Sequence, residues 1–212
     1  MAPMNRLSAI VLLAGASTRM AGGSKLARLY WGKPLAAYAL DTLAGLDLRQ
    51  RIAVVGGPYQ TQTMDLLARY PDFVVVHNPD AASGMGSSIA AGARALVPCA
   101  GLFVCLGDMP NVRAEDFRAL ATELADPQTI CRHHFGDRPG HPVLFGNNHI
   151  PPLKALTGPS GAATLIAAAA ASTVSIRSSH RGVIEDFDTL EDFSCNHDAE
   201  LGLECIGSGD RR

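Results

Sequence analysis

The sequence has little excess of either charge. Its 18 Lys and Arg face 20 Asp and Glu, a formal net charge of −2. That excludes the broad basic surface of a nucleic-acid binder, so any anion site must be local. There is no C-x-x-C among the five cysteines, Cys99, Cys105, Cys131, Cys195 and Cys205. An odd count without a secretory pattern leads us to expect a reduced, cytoplasmic protein. The first apolar run, Leu7 to Ala14, is too short to cross a bilayer, so no membrane partner is expected. Three familiar loops are also missing: G-x-x-x-x-G-K-[ST], G-x-G-x-x-G and the G-x-S-x-G elbow. Neither internal repeats nor a low-complexity block interrupts the chain.

What is present is a core. Of 212 residues, 47% are hydrophobic, enough for one sizeable domain. We expect that domain over residues 1–195 and a flexible polar tail over 196–212. Nearly continuous apolar runs, with β-branched residues among them, stand at 8–13, 51–56, 73–77 and 101–106. Such runs fit strands buried on both faces, as in parallel sheets. Helical spacing fills the gaps, at 34–46, 61–70, 87–96 and 113–124. Beyond residue 125 the pattern loosens, with strands expected at 129–133, 142–145 and 172–176, an alanine-rich helix at 161–171 and a short one at 189–195. The alternation predicts an α/β fold: a three-layer Rossmann-like domain with a mainly parallel, mixed sheet.

In such sheets ligands collect outside the carboxyl ends of the strands. L-L-A-G-A-S-T-R-M-A-G-G-S-K (12–25) follows the first run and carries two cations, Arg19 and Lys25, among small residues. Backbone N–H groups in a glycine-rich loop can cradle an anion, and Arg and Lys can neutralise phosphate. A solvated connection is the competing reading. G-L-F-V-C-L-G-D-M-P (101–110) places Asp108 at the end of another strand. There it serves as a turn residue, or as a carboxylate for a magnesium ion bound with phosphate oxygens.

Together these stretches resemble the MobA-like nucleotidyltransferases, and among them the molybdenum cofactor cytidylyltransferases. The loop is similar to that family's L-A-A-G-x-S-x-R-M-G-x-x-K. Trp31-Gly32-Lys33-Pro34-Leu35 is similar to its G-K-P-L, and Gly107-Asp108-Met109-Pro110 to its G-D-x-P. The resemblance implies nucleotide contacts from Leu13, Ala14, Gly15, Ala16, Arg19 and Lys25, with Arg19, Lys25 and Asp108 catalytic and Asp108 on Mg²⁺. N-P-D-A-A-S-G-M-G-S-S (78–88) resembles the family's N-P-x-x-x-x-G-M-x-x-S and implies further contacts from Asn78, Gly84, Ser87 and Ser88. On physical grounds Ser87 and Ser88 are also expected helix caps.

R-P-G-H-P-V-L-F-G (138–146) is similar to the family's G-x-P-V-L-F, with His141 in the variable position. Gly158-Pro159-Ser160-Gly161-Ala162 resembles G-D-x-G-A, with Pro159 replacing the acid. E-D-F-D-T-L-E-D-F (185–193) resembles D-I-D-T-P-E-D, which implies a second metal carboxylate from Asp186 or Asp188. These two share one face if the segment is extended. Thr189 and Asp192 have near-capping-box spacing. His77 is expected at a core edge. His133 and His134 beside Cys131 lack the partner cluster of a zinc site.

The resemblance implies a Mg²⁺-dependent transfer of CMP from CTP to the phosphate of a molybdenum-pterin, for eventual use by a client molybdoenzyme. Leu13-Ala14-Gly15 is nearer the cytidylyltransferase L-A-A-G than the guanylyltransferase L-A-G-G. A guanylyltransferase, a sugar- or alcohol-phosphate cytidylyltransferase, and a non-catalytic accessory protein for molybdoenzyme assembly stay open as alternatives.

Overall fold

The computed structural model describes residues 3–15 and 23–193. The expected tail, 196–212, lies outside the described residues, as do Ala16 and Arg19.

The chain opens with β1 (Leu7–Ala14), a hairpin of β2 (Leu29–Tyr30) and β3 (Lys33–Pro34), and α1 (Leu35–Ala44). β4 (Gln50–Gly56), α2 (Gln60–Leu67), β5 (Phe73–His77), α3 (Met85–Arg94) and β6 (Gly101–Leu106) follow in strict alternation. Then come α4 (Ala114–Glu123), β7 (Ile130–Phe135), β8 (Arg138–Gly146), α5 (Ile150–Lys154), α6 (Ala163–Ala168) and β9 (Thr173–Arg177). Residues 190–193 are again helical.

The main sheet has seven strands in the order β5-β4-β1-β6-β8-β7-β9. β5, β4, β1 and β6 run parallel. β8 is antiparallel to both neighbours, and β9 pairs parallel with β7. The mixed, mainly parallel sheet is the one the sequence implied.

β1 is buried almost throughout, and its side chains alternate between two cores. Ala9, Val11 and Leu13 pack with Leu40 of α1, Leu66 of α2 and Phe117 of α4. Ile10 and Leu12 pack with Ile89 of α3, Leu153 of α5 and Ala162 before α6. One period-2 strand thus glues two helical layers to one sheet, giving three layers. A third, aromatic cluster of Tyr30, Leu35 and Phe187 sits apart.

Three local expectations change. Residues 73–77 form the sheet edge, with Val74 and Val75 exposed, not a strand buried on both faces. His77 ends that edge strand and is exposed, not at the core edge. The alanine-rich helix is short, Ala163–Ala168, and tightens into a 3-10 turn at Ala170–Ser172.

The order of strands locates the crevice. From β1 the chain moves outward to β4 and β5, then returns through α3 to place β6 on the other side of β1. Strand order therefore reverses between β1 and β6, where α/β sheets hold ligands. Gly15 leaves β1 at that point, and Gly107-Asp108 leaves β6 beside it.

Candidate active site

Gly107 N–H donates to Leu12 O at 3.1 Å, extending the β1–β6 ladder by one rung and fixing where Asp108 emerges. Lys25 comes from the far end of the first loop. Its Nζ donates to Asp108 Oδ2 at 2.6 Å and to Asp188 Oδ1 at 2.6 Å. The three side chains are 15%, 18% and 33% exposed, so water screens them only in part. Burial pushes Lys25 toward neutrality, but the charges and hydrogen bonds of Asp108 and Asp188 outweigh it and raise its pKa. Lys25 is thus held as an ammonium.

Asp188 arrives through its neighbours. Phe187 N–H donates to Asp108 O at 3.0 Å. The Phe187 ring packs on Tyr30 and Phe193, with centroids 4.9 and 5.4 Å away. Asp192 Oδ2 accepts from the N–H groups of Asp188 (2.8 Å) and Thr189 (2.6 Å), and from Thr189 Oγ1 (3.0 Å). The Thr189–Asp192 spacing thus makes a backward cap on the short terminal helix, and its first N–H belongs to the metal candidate. Asp186, on the other side of Phe187, is exposed and does not line this cleft. Its charge is felt instead by His141.

Leu13, Ala14 and Gly15 line the same cleft as Lys25, Asp108 and Asp188. Gly56, Tyr59 and Thr63 also line it, and sequence reasoning missed them. Tyr59 matters most, because its Oη accepts from Gly23 N–H at 3.2 Å and pins the returning end of the first loop. A signal was present in V-V-G-G-P-Y (54–59): paired glycines at the carboxyl end of a buried strand. That strand end becomes relevant only because β4 lies beside β1.

Asn78, Gly84, Ser87 and Ser88 form a separate knot and do not line the cleft. Asn78 is buried, and its Nδ2 donates to Ser87 Oγ (2.9 Å) and Ser88 Oγ (3.0 Å). Ser87 Oγ lies within donating distance of Asp80 O (2.9 Å) and Gly84 O (2.8 Å). The serines are therefore not helix caps. They lie inside α3, whose N-cap is Gly84 at φ +117°. A side chain there would strike the 157–159 turn, since a Cβ would stand 2.5 Å from Pro159 Cα. The glycine–serine segment is used, at least in part, to seat α3 under that turn.

His141 lies on β8. With Val143 opposite Val104, it falls alongside the end of β6, and Asp108 is among the charges acting on it. Among the described residues no group of three His, Cys, Asp or Glu side chains could hold a metal ion. His133 is committed elsewhere, with Nε2 3.0 Å from Asp116 O. The residues fit magnesium in another way. Two carboxylates converge on one point, and Mg²⁺ takes one or two protein carboxylates and fills its other positions with phosphate and water.

A switch-point cleft combining a strand-end loop, a lysine and two carboxylates is the place and the chemistry at which an α/β sheet of this kind can hold a nucleotide. The MobA-like NTP transferase domain matches residues 9–174, and the chain belongs to that family. The chain is 28% identical over 192 residues to the molybdenum cofactor cytidylyltransferase of Escherichia coli K12, covering 90% of this chain and 95% of the relative. A Mycobacterium sp. strain JC1 homologue of Mycobacterium tuberculosis Rv0371c has the same fold, with a TM-score of 0.79 at 24% identity over 94% of this chain and 99% of that one. So has a nucleotidyl transferase from Methanothermobacter thermautotrophicus, with a TM-score of 0.77 at 20% identity over 93% and 99% of the two chains. Membership implies two substrates, a nucleoside triphosphate and a phosphorylated acceptor. No helix among the described residues is long and apolar enough to cross a membrane.

Proposed function

We propose that this chain transfers CMP from CTP to the phosphate of a molybdenum-pterin, with Mg²⁺ at Asp108 and Asp188. An acceptor phosphate oxygen attacks the α-phosphorus. The bond from that phosphorus to the α,β-bridging oxygen breaks, and pyrophosphate leaves with the bond electrons. The acceptor is already anionic, so no strong general base is needed; catalysis is positioning and charge neutralisation.

The observation that carries the reading is Lys25 bridging Asp108 and Asp188 at 2.6 Å each. A bound magnesium ion supplies charge neutralisation across the phosphates. Asp108 and Asp188 are the residues that would hold it, and Lys25 then turns its ammonium to the phosphate oxygens. The described lining contributes two negative charges and one positive, so a polyphosphate meets no net positive charge from it. A divalent cation reverses that balance, and Arg19, which resembles the family's loop arginine, adds to it. Gly15 offers backbone N–H at the phosphates, and Asp186 stands outside the ligand set.

Preference for CTP rests on the Leu13-Ala14-Gly15 form of the loop and on the name of the Escherichia coli relative. The product would pass to a client molybdoenzyme in the cytoplasm. Two measurements test the reading: thermal shifts with CTP, GTP, ATP and UTP, each with Mg²⁺, and pyrophosphate release with the best nucleotide and molybdopterin. CTP is expected to give the largest shift and to support release. A larger GTP shift overturns the nucleotide choice in favour of guanylyl transfer. CTP binding without pyrophosphate release favours the accessory-protein reading.

A further inference from the structure

Asp188 reaches the cleft at the end of a strap, residues 178–188, which leaves β9 and returns along the loop between β6 and α4. Strap and loop run antiparallel, and their contacts keep step. Phe187 N–H donates to Asp108 O at 3.0 Å. Asn111 Nδ2 donates to Glu185 Oε2 at 3.1 Å. Gly182 packs on Asn111 so closely that a Cβ there would stand 2.4 Å from Asn111 O. Farthest from the cleft, His180 Nε2 meets Asp116 Oδ1 at 3.0 Å. Asp116 lies eight residues after Asp108, and His180 lies eight before Asp188.

These contacts differ in how far water reaches them. Glu185 is shared with the exposed Arg181 at 3.1 Å. Arg138 Nη2 reaches Ile184 O at 3.4 Å, a long hydrogen bond. At the far end the Asp116 side chain is 8% exposed and that of His180 19%. Ser178 beside them is buried, and its Oγ donates to His180 O at 2.9 Å. Hydrogen bonds strengthen where water is excluded, so this end is the firm anchor of the strap. Asp116 is itself tied down. Its Oδ2 accepts from Arg113 N–H at 2.8 Å at the start of α4, and its carbonyl lies 3.0 Å from His133 Nε2 of β7.

The His180 ring is held in one tautomer. Nδ1 accepts from Gly182 N–H at 3.2 Å, and a backbone N–H can only donate. Nδ1 therefore carries no proton, and Nε2 donates its own to Asp116. One side of the ring caps the 3-10 turn Arg181–Ile184, and the other ties that turn to α4. Val183 and Ile184 of the turn are buried, and Val183 O sits against Gly140 of β8, where a Cβ would stand 2.5 Å away. The path from His180 to Asp188 is thus packed along its length. We propose that His180, acting through Asp116, is a positioning residue for the second metal carboxylate: it fixes the strap on the loop and so sets where Asp188 stands against Asp108. The inference rests on the nucleotidyl-transfer reading and adds to it a residue that does not line the cleft.

His180→Asn keeps an oxygen for the N–H two residues on but loses the reach to Asp116. Asp116→Asn can still accept from Arg113 N–H but turns an amide donor toward the Nε2 donor. His180→Gln keeps a donor long enough for Asp116 and should rescue. The readout is the Mg²⁺ concentration for half-maximal pyrophosphate release, with each variant assayed below its own Tm. Removing a direct partner of a metal ligand costs about 10–100-fold in metal affinity. A remote anchor should cost less, so His180→Asn and Asp116→Asn are each expected to raise that concentration at least about 3-fold. Should His180→Asn fail to fold, Asp116→Asn carries the same prediction. In an Asp188→Asn background the rise should vanish, because the carboxylate being positioned is gone. A merely structural role would lower Tm and the amount of active enzyme, not the affinity for the metal. A rise under about 3-fold in a folded variant, or the same rise with and without Asp188, overturns the inference and leaves nucleotidyl transfer standing. If the wild type releases no pyrophosphate with any acceptor, the transfer reading fails and a crystal structure of His180→Asn still decides the anchor. Lys25 and Asp188 parted beyond about 4 Å uphold it, and a pair kept within that distance overturns it.

Discussion

Gly84 and Gly15 both fall in stretches that resemble nucleotide-binding motifs, yet the structure gives them different work, and alanine substitutions separate the two. At Gly84 the backbone has φ +117° and ψ 179°, a region essentially reserved for glycine. Holding another residue there costs about 1–3 kcal/mol. The new Cβ would also lie 2.5 Å from Pro159 Cα and 2.7 Å from both Gly158 O and Pro159 N. These are backbone atoms, so the turn must move by nearly an ångström, at roughly 1–3 kcal/mol for overpacking. Gly84→Ala should therefore lose on the order of 2–6 kcal/mol, which at about 2–4 °C per kcal/mol lowers Tm by at least roughly 5 °C. Among the described residues nothing lies within 4 Å of a Cβ added at Gly15, and Gly15 lines the cleft. Gly15→Ala should keep the wild-type Tm to within about 2 °C and lose most of its CTP-induced thermal shift. Differential scanning fluorimetry with and without CTP reads both. Gly84→Ala melting with the wild type while losing its response to CTP would falsify the assignment of Gly84 to packing.

Other consequences follow from the ion cluster and the core thiols. Lys25→Ala should lower kcat by at least about 10²–10³-fold, the usual loss for a preorganised charge-stabilising donor. Its cost in stability should stay near 1–2 kcal/mol, because all three partners keep some solvent contact; a wild-type rate refutes the mechanism. Asp188→Asn should raise the Mg²⁺ concentration for half-maximal activity at least 10-fold and Asp186→Asn less than 2-fold, by titration of initial rates. The reverse order would put Asp186 at the metal. Burial, helped by the Glu123 charge, pushes the Cys131 thiol up to about 12. At pH 8 that thiol should escape iodoacetamide in the native protein and react once guanidinium unfolds it, as peptide mass mapping would read.

The central sheet was legible because β1, β4 and β6 contain nearly continuous apolar runs, and continuous apolarity is what a doubly covered strand requires. The same signal misplaced residues 73–77. An apolar run states preference for a strand, whereas edge or centre is decided by which strand pairs last, a non-local fact. Lys25 and Asp108 could be paired in advance because each follows its own strand and strand ends share one side of the sheet. Tyr59 could not: the paired glycines before it mark a strand end, but nothing local marks a tyrosine that hydrogen-bonds to a loop 36 residues away. Asn78, Ser87 and Ser88 carried correct motif spacing, but their hydroxyl and amide groups are spent on one another.

The bridge from Lys25 to Asp188 spans 163 residues of sequence. Its far end is held by Phe187 against Tyr30 and by the Asp192 cap, so the last described segment closes onto the first. During synthesis Lys25 and Asp108 leave the ribosome well before Asp188, so the cluster proposed to take magnesium is the last part of the cleft to be assembled. A chain interrupted before Asp188 would carry Lys25 and Asp108 but only one of the two proposed carboxylates.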